Sequence, residues 1–405
     1  MKKWVIFSST VIIVAIVLLF VNSQINTIRN GNSDAQVSDL SQKSKDTETG
    51  VANVQKNDDE QCEETKVKFD YAPVNLDETE VFLPLGLMIG SHVTPIDHHY
   101  FQNFNNNEPD IEVYSPGAGY VTSIQLMQIH AEVGDYRVVI EHKCKVSSIY
   151  IHIYTLSEKL QKEITDKNYL STKIPVEAGE LIGYYKNNVD YNLVDENFVL
   201  TGFANPSSYE SEPWKIHVPN TFEYFNEPVK SQLMAKILRT AEPISGKIDY
   251  DISGKLAGNW FLEGTNGYAG AVSNPGDEGY WLGHLSFVYD AYDPERIVLS
   301  IGGYGGEDSK QFAVRGNSPD PKDVDVQSGA VKYELITYDW LVPDGSSWDR
   351  KSLAKPLTTQ AHENNVEGAV LVQVLEGNKI KFEAFQGKAA NQVSGFMGNA
   401  KIYER

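Results

Sequence analysis

Past residue 65 the chain consists of short β-branched and aromatic runs separated by Gly, Pro, Asn and Asp. This is the pattern of strands joined by turns. Residues 112–114 lead through Ser115-Pro116-Gly117-Ala118-Gly119 into a second run at 120–124. The runs at 136–142 and 148–154 flank a connection at 143–147, and 176–183 reads as a turn followed by a strand. Thr155-Leu156-Ser157-Glu158 has the form of a capping box, and Leu156, Leu160 and Ile164 recur at helical spacing, so a short helix is predicted there. Val229, Leu233, Met234, Ile237 and Leu238 share one helical face and predict a helix that ends the first domain. From 241 to 405 Gly246, Gly254, Gly258, Gly264, Gly267 and Gly270 punctuate the start, and 297–301, 331–336, 370–375 and 380–385 read as strands. That block shows neither a helix nor an exact repeat, and a closed barrel or a sandwich is expected.

The N-terminus has a different pattern. Lys2 and Lys3 precede an apolar run at 4–21, interrupted only by Ser8, Ser9 and Thr10. Eighteen residues at about 1.5 Å each give about 27 Å, enough to span a bilayer. The run ends in Val21-Asn22-Ser23-Gln24, a poor cleavage site. An uncleaved signal anchor at 1–22 is therefore expected, with a cleaved signal as the alternative. The flanking lysines keep the N-terminus in the cytoplasm and send the rest outside. Residues 23–65 are polar, end acidic and have too few large apolar side chains to offset ordering entropy, so they read as a tether. The expected order is anchor 1–22, tether 23–65, β-domain 66–239 and a second all-β domain 240–405. The fold class is mainly β behind an N-terminal transmembrane helix.

Charge narrows the partners. The 405 residues carry a formal charge of −20, which repels phosphate backbones and argues against nucleic acid. The two cysteines, Cys62 and Cys144, are expected to pair in an exported chain, the alternative being two free thiols.

Motif order in the first block resembles the lysostaphin/LytM-type zinc metallopeptidases, over roughly residues 84–225. Gly90-Ser91-His92-Val93-Thr94-Pro95-Ile96-Asp97 resembles the family's first metal motif. Val113-Tyr114-Ser115-Pro116-Gly117-Ala118-Gly119-Tyr120-Val121 resembles its apolar–x–Ala–Pro–x–x–Gly–x–Val hairpin. The stretch 136–142 with Ile149-Tyr150-Ile151-His152-Ile153 resembles its paired histidine-bearing strands, and 176–183 its Val–x–x–Gly–x–x–Ile–Gly turn. The resemblance implies a duplicated-hybrid-motif β-domain. It implies zinc held by His92 and Asp97, and His152 stabilising a developing oxyanion.

Two departures alter that chemistry. The family spaces its first His and Asp four apart, whereas His92 and Asp97 are five apart, with His98 and His99 following as possible shifted ligands. Where the family has His–x–His, this chain has Asp190-Tyr191-Asn192. Asp190 could replace the base, but an asparagine carbonyl is a poor zinc ligand. Asp195 and His217 lie nearby in sequence as possible substitutes. His142, His130 and His362 read as structural or surface residues.

No nucleophile elbow or phosphate-binding loop is present, and Gly302-Gly303-Tyr304-Gly305-Gly306 reads as a strand connection. Gly258-Asn259-Trp260 resembles the Gly–x–Trp near the start of lipocalin-type barrels. Trp260, Trp281, Trp340 and Trp348 either pack a β-core or line a ligand platform.

Two functions follow. One is a membrane-anchored, extracytoplasmic, non-catalytic relative that binds an envelope polymer or partner protein, with no cofactor. The alternative is a zinc-dependent endopeptidase acting on a cell-envelope polymer. In both, residues 4–21 contact the membrane and nucleic acid is not a partner.

Overall fold

The computed structural model of the chain describes residues 62, 66–104, 110–127, 134–164, 169–270, 279–306 and 309–405. The expected anchor at 1–22, and all of the tether except Cys62, lie outside the described residues, as does His130. Among the described residues no helix is long and apolar enough to cross a membrane. Cys62 and Cys144 form a disulfide that ties the last part of the tether to the first module.

The first module contains ten strands among the described residues. They are β1 (Val81–Leu83), β2 (His99–Asn103), β3 (Ile111–Tyr114), β4 (Gly119–Leu126), β5 (Tyr136–Glu141), β6 (Val146–Ile153), β7 (Thr155–Leu156), β8 (Tyr169–Val176), β9 (Leu181–Tyr185) and β10 (Asn187–Asp195). A seven-stranded sheet runs β1-β2-β10-β6-β5-β4-β8, and a three-stranded sheet runs β3-β9-β7. The core between them holds Val113, Val121, Ile140, Tyr150, Ile182, Tyr185, Val189, Tyr191 and Leu193. Period-two alternation places Val189, Tyr191 and Leu193 of β10 in that core. Asp190 and Asn192 therefore share the opposite face.

Helix α1 (Glu158–Glu163) starts later than the capping-box reading expects. Its N-cap is Ser157, whose side chain accepts from the Leu160 amide. Thr155 is unavailable as a cap because Thr155 and Leu156 pair with Tyr184 and Gly183 as β7. Helix α2 (Val229–Lys236) occupies the predicted position. Ile237, just past its end, bridges to Phe82 and joins the module's core.

The second module is a closed barrel of β11 (Gly258–Leu262), β12 (His284–Tyr289), β13 (Ile297–Gly302), β14 (Ser309–Val314), β15 (Ala330–Leu341), β16 (Thr358–Leu375), β17 (Lys379–Gln386) and β18 (Lys401–Glu404). Each strand pairs antiparallel with the next, and β18 closes onto β11 through Phe261–Glu404 and Leu262–Tyr403. Leu285, Phe287, Ile297, Leu299, Ile301, Phe312, Val370, Val372 and Phe382 fill the interior around Trp260. The Arg405 guanidinium stacks 3.9 Å from the Trp260 ring and donates to the carbonyls of Ala257, Ile252 and Lys255, sealing one end.

The strands are apolar on both faces because the outer face is also covered. Val288 and Val298 pack against Met88 and Tyr250, while Ala369 and Leu371 pack against Val393. A second shared cluster joins Val81, Leu83, Leu87, Ile96 and Tyr100 of the first module to Tyr292, Trp348 and Leu357 of the barrel. A third joins Leu85, Phe203 and Tyr209 to Phe261, Tyr268 and Tyr280. Trp260, Trp340 and Trp348 thus serve packing, as does Trp281 against Tyr268 and Tyr280.

The barrel also grips the loop between β1 and β2. Ser309 Oγ donates to the Gly90 carbonyl at 2.7 Å, and Gln311 Nε2 to the His92 carbonyl at 2.9 Å. The connection between β11 and β12 folds back over the same place. Gly302 permits this, since a Cβ there would stand 1.8 Å from the Trp281 carbonyl oxygen.

Candidate functional site

Four segments meet there. The β1–β2 loop supplies His92, Asp97 and His98. Strands β6 and β10 supply His152, Asp190 and Asn192. The short helical turn Pro213–His217 supplies Trp214 and Lys215.

His152 reaches the site through a bulge. Tyr136 pairs with Ile153, but Val138 pairs with Tyr150. Strand β6 therefore carries one residue more than β5 over this stretch. Tyr150 and Ile153 both enter the core. His152 takes up the extra residue at φ 73°, a left-handed conformation that is costly without glycine. Strict alternation would place Tyr150 and His152 on one face. The bulge instead turns the imidazole toward Asp190.

The side chains form a continuous polar chain. His152 Nδ1 is 3.0 Å from Asp135 Oδ1, and its Nε2 is 3.7 Å from Asp190 Oδ2. The same Asp190 oxygen is 3.3 Å from His98 Nε2, and His98 Nδ1 is 3.3 Å from Asp97 Oδ1. Asp97 Oδ1 accepts from Lys215 Nζ at 2.8 Å, and Lys215 pairs with Glu212 at 3.0 Å. Glu212 accepts from Tyr280 Oη of the barrel at 2.8 Å. The Lys215 ammonium also lies 4.5 Å from the centre of the Tyr268 ring.

Burial sets the electrostatics. On its own it would raise the Asp97 carboxyl, but Lys215 and then His98 hold it well below the usual carboxylate range. Burial would likewise strip the proton from Lys215, and Asp97 outweighs it, pushing the ammonium's pKa up. For His98, burial opposes the charge, while Asp190 and Asp97 overcome it and raise the imidazole. Asp190 is raised because burial outweighs the help from His98 and His152. His92 is lowered to about 4, first by burial and then by the charges of His98 and Lys215.

The sequence-derived residues converge only in part. Asp97, Asp190 and His152 lie in the chain of contacts just described. His92 is close by, its ring 6.1 Å from that of His98, but it lies tilted 5.3 Å from the Trp281 ring and turns Nδ1 toward the Ile89 carbonyl. Asp195 accepts from Tyr224 Oη, and His217 Nδ1 lies 2.6 Å from the Phe198 carbonyl, so both have other partners. His142 is held by the Ala118 carbonyl and Ser148, and His362 by Thr337 and Asp339. Sequence reasoning missed Lys215 altogether. Its only signal is a lysine in an otherwise apolar and aromatic stretch, Trp214-Lys215-Ile216.

These residues do not fit a zinc ion. A carboxylate offers about four lone-pair positions. Asp97 fills them with Lys215 Nζ and His98 Nδ1 on Oδ1, and with Asn192 Nδ2 and Trp214 Nε1 on Oδ2, each of the latter at 3.1 Å. A buried ammonium already stands beside the oxygen that would bind the metal, and a second cation there would meet its charge. Among the described residues, no three His, Cys, Asp or Glu side chains are placed to hold one metal ion.

Neither a family model nor a curated protein matches the chain. Among solved structures it is similar to a zinc-containing peptidase from Vibrio cholerae, with 15% identity and a TM-score of 0.20. The match covers 31% of this chain and 36% of that one. A likeness this slight carries no argument, so the functional reading rests on the residues themselves.

Two outcomes test the site. Lys215→Met leaves Asp97 and Glu212 buried without their cation, and removing one partner of such a pair costs about 3–5 kcal/mol. Urea unfolding should show a loss of that order, and a change under about 1 kcal/mol would contradict the arrangement. The second concerns His99, whose nitrogens lie 2.9 Å from the Leu83 carbonyl and from Thr221 Oγ1. Burial lowers its pKa to about 3, against 6.5 unperturbed. As pH falls below 6.5 the unfolded chain takes up this proton while the folded chain does not, so stability is lost on acidification. Between about pH 6 and 4 the wild type should lose about 1.4 kcal/mol per pH unit more than His99→Gln. A pH-independent difference between the two would be inconsistent with a neutral buried His99.

Proposed function

We propose that this chain is a membrane-anchored extracytoplasmic protein. Its first β-module is a divergent, non-catalytic LytM-like peptidase domain that binds an envelope polymer or a partner protein. The Lys215–Asp97 pair carries the reading. The family resemblance would assign Asp97 to zinc, and here its carboxylate is committed to an ammonium and three further N–H donors. The barrel adds to the argument, since Tyr268, Tyr280 and Trp281 lie against Lys215, Glu212 and His92 where a peptidase would need open access. What stays accessible is the side near His152, whose side chain is 37% exposed.

One observation favours the hydrolase alternative. The Asp135–His152 pair is a carboxylate-oriented imidazole on a bulged strand, an arrangement suited to proton transfer. No activated nucleophile accompanies it among the contacts described, so the binding reading is preferred.

Full-length protein purified in detergent and exchanged into zinc-containing buffer should retain well under one zinc per chain after desalting. It should co-sediment with insoluble envelope polymer and release no peptide from it. Stoichiometric zinc, with cleavage abolished by Asp97→Ala, would install the hydrolase instead. Absence of co-sedimentation would remove the polymer as ligand.

A further inference from the structure

A cleft of about 520 Å³ lies between the two modules, and no residue of the polar chain lines it. That volume falls within the roughly 300–1,000 Å³ of small-molecule sites. One wall is the short helical turn Pro206–Tyr209 of the first module, with Glu210 and Ser211 after it. The other wall belongs to the barrel: the end of β11 at Phe261 and Leu262, then Asn266, Gly267 and Ala269, with Glu404 beside them. Neither module encloses the cleft alone.

The walls are held by the protein itself. The Tyr209 ring lies 4.5, 5.6 and 5.4 Å from those of Phe203, Phe261 and Tyr268, and its hydroxyl accepts from Asn259 Nδ2 at 3.0 Å. Ser207 Oγ donates to Asn205 Oδ1 at 2.7 Å, and Asn205 Nδ2 donates to Ser208 Oγ at 3.2 Å. The two walls touch at Gly267, whose φ is 60° and where a Cβ would stand 2.5 Å from the Ser208 carbonyl oxygen. A ligand entering such a cleft need not order it first.

Uncommitted polar groups come from both walls. The side chains of Glu210 and Ser211 on one wall, and of Asn266 on the other, make no hydrogen bond or ion pair with any described residue. Ser208 Oγ accepts from Asn205, which leaves its own O–H to donate. The set is a carboxylate, two hydroxyls and a carboxamide, so donors and acceptors are mixed.

The lining excludes several ligand classes. No lysine lines the cleft, and the Arg405 guanidinium is turned to the carbonyls of Ala257, Ile252 and Lys255. Glu210 is therefore uncompensated and repels anions. Glu404 is already paired with Lys379 at 3.1 Å. Phe261, the one aromatic residue in the lining, is 1% exposed, so a lipid tail or an aromatic ring finds no apolar surface of its own size. Among the described residues no group of His, Cys, Asp or Glu is placed to hold a metal ion. A neutral, hydroxyl-rich molecule fits, because each of its hydroxyls both donates and accepts. Leu262 and Ala269 supply a small apolar patch that suits an acetamido methyl group.

We propose that this cleft binds a neutral, N-acetylated saccharide unit through Glu210, Ser211 and Asn266. The proposal rests on the chain being a polymer-binding protein, and it names the part of the polymer taken, its sugar. It also gives the barrel a part in binding, since Asn266, Leu262 and Ala269 belong to the barrel wall.

The test uses full-length protein in a sugar-free detergent at physiological salt. Saturation-transfer difference NMR follows titration with N,N′-diacetylchitobiose and, separately, with its deacetylated form, which carries free amines. The acetylated disaccharide should bind saturably and more tightly than the amine form. Asn266→Ala and Glu210→Ala should each weaken it about fivefold or more, as expected for a lost hydrogen bond. Neither side chain has a partner within the protein, so both variants should keep the wild-type melting temperature, and the comparison of the two sugars needs no variant. No saturable binding would overturn the proposal. Equal or tighter binding of the amine form would make this a cation site and would also overturn it, as would unchanged affinity in both variants. Co-sedimentation with envelope polymer separates the two levels. If the polymer binds and the disaccharide does not, the sugar site falls and the broader reading stands. If the disaccharide binds and the polymer does not, the site stands and the polymer reading falls.

Discussion

The architecture turns on one buried cation. Lys215 belongs to the first module and is held there by Asp97 and Glu212. Its remaining environment comes from the barrel, through the Tyr268 ring and through Tyr280, which donates to Glu212. Taking an ammonium and two carboxylates out of water is expensive, and the attraction repays it only where every donor and acceptor is matched. The matching requires both modules. The barrel cannot move away without exposing the aromatic cluster of Phe203, Tyr209, Phe261, Tyr268 and Tyr280, and without uncovering the pair. Docking of the modules and occupation of the Asp97 position are therefore a single constraint.

That constraint makes the two ends of the polar chain unlike. At the Lys215 end, charge is balanced and covered by aromatic side chains. At the His152 end the imidazole side chain is 37% exposed, while Asp135 Oδ2 and Asp190 Oδ1 are buried without a hydrogen-bond partner. Two further clefts lie elsewhere. One of about 520 Å³ is lined by Asn205, Ser207, Glu210, Phe261 and Arg405, and the other, of about 730 Å³, by Asp249, Tyr250, Tyr289 and Asp320. In the second, Asp249, Tyr289 and Asp320 already pair with Lys247, Gly202 and one another, so its polar side chains are satisfied internally.

Strand runs, the β-rich second block and helix α2 were legible in the sequence because β-branched runs and turn residues act locally, whereas the choice between barrel and sandwich depends on β18 closing onto β11, which is not local. The fate of the candidate site was not. Pairing Asp190 and Asn192 on one face follows from simple alternation, but the bulge that reorients His152 depends on pairing with β5, which no local pattern records. The capping box at Thr155 failed for the same reason, since β7 pairs that residue with β9 before the helix begins. Lys215 is the clearest case. It lies 118 residues from Asp97 in the chain, on a short turn with no motif, and becomes visible only when the fold brings the two together.

The central claim is that an ammonium, not a metal, occupies the position beside Asp97. Crystals of the protein grown with zinc, with diffraction data collected on both sides of the zinc absorption edge, address it directly. The account requires Lys215 Nζ within hydrogen-bond distance of Asp97 Oδ1 and no anomalous peak near that carboxylate. An anomalous peak bonded to Asp97 together with His92 or His98, with Lys215 turned away, would contradict it.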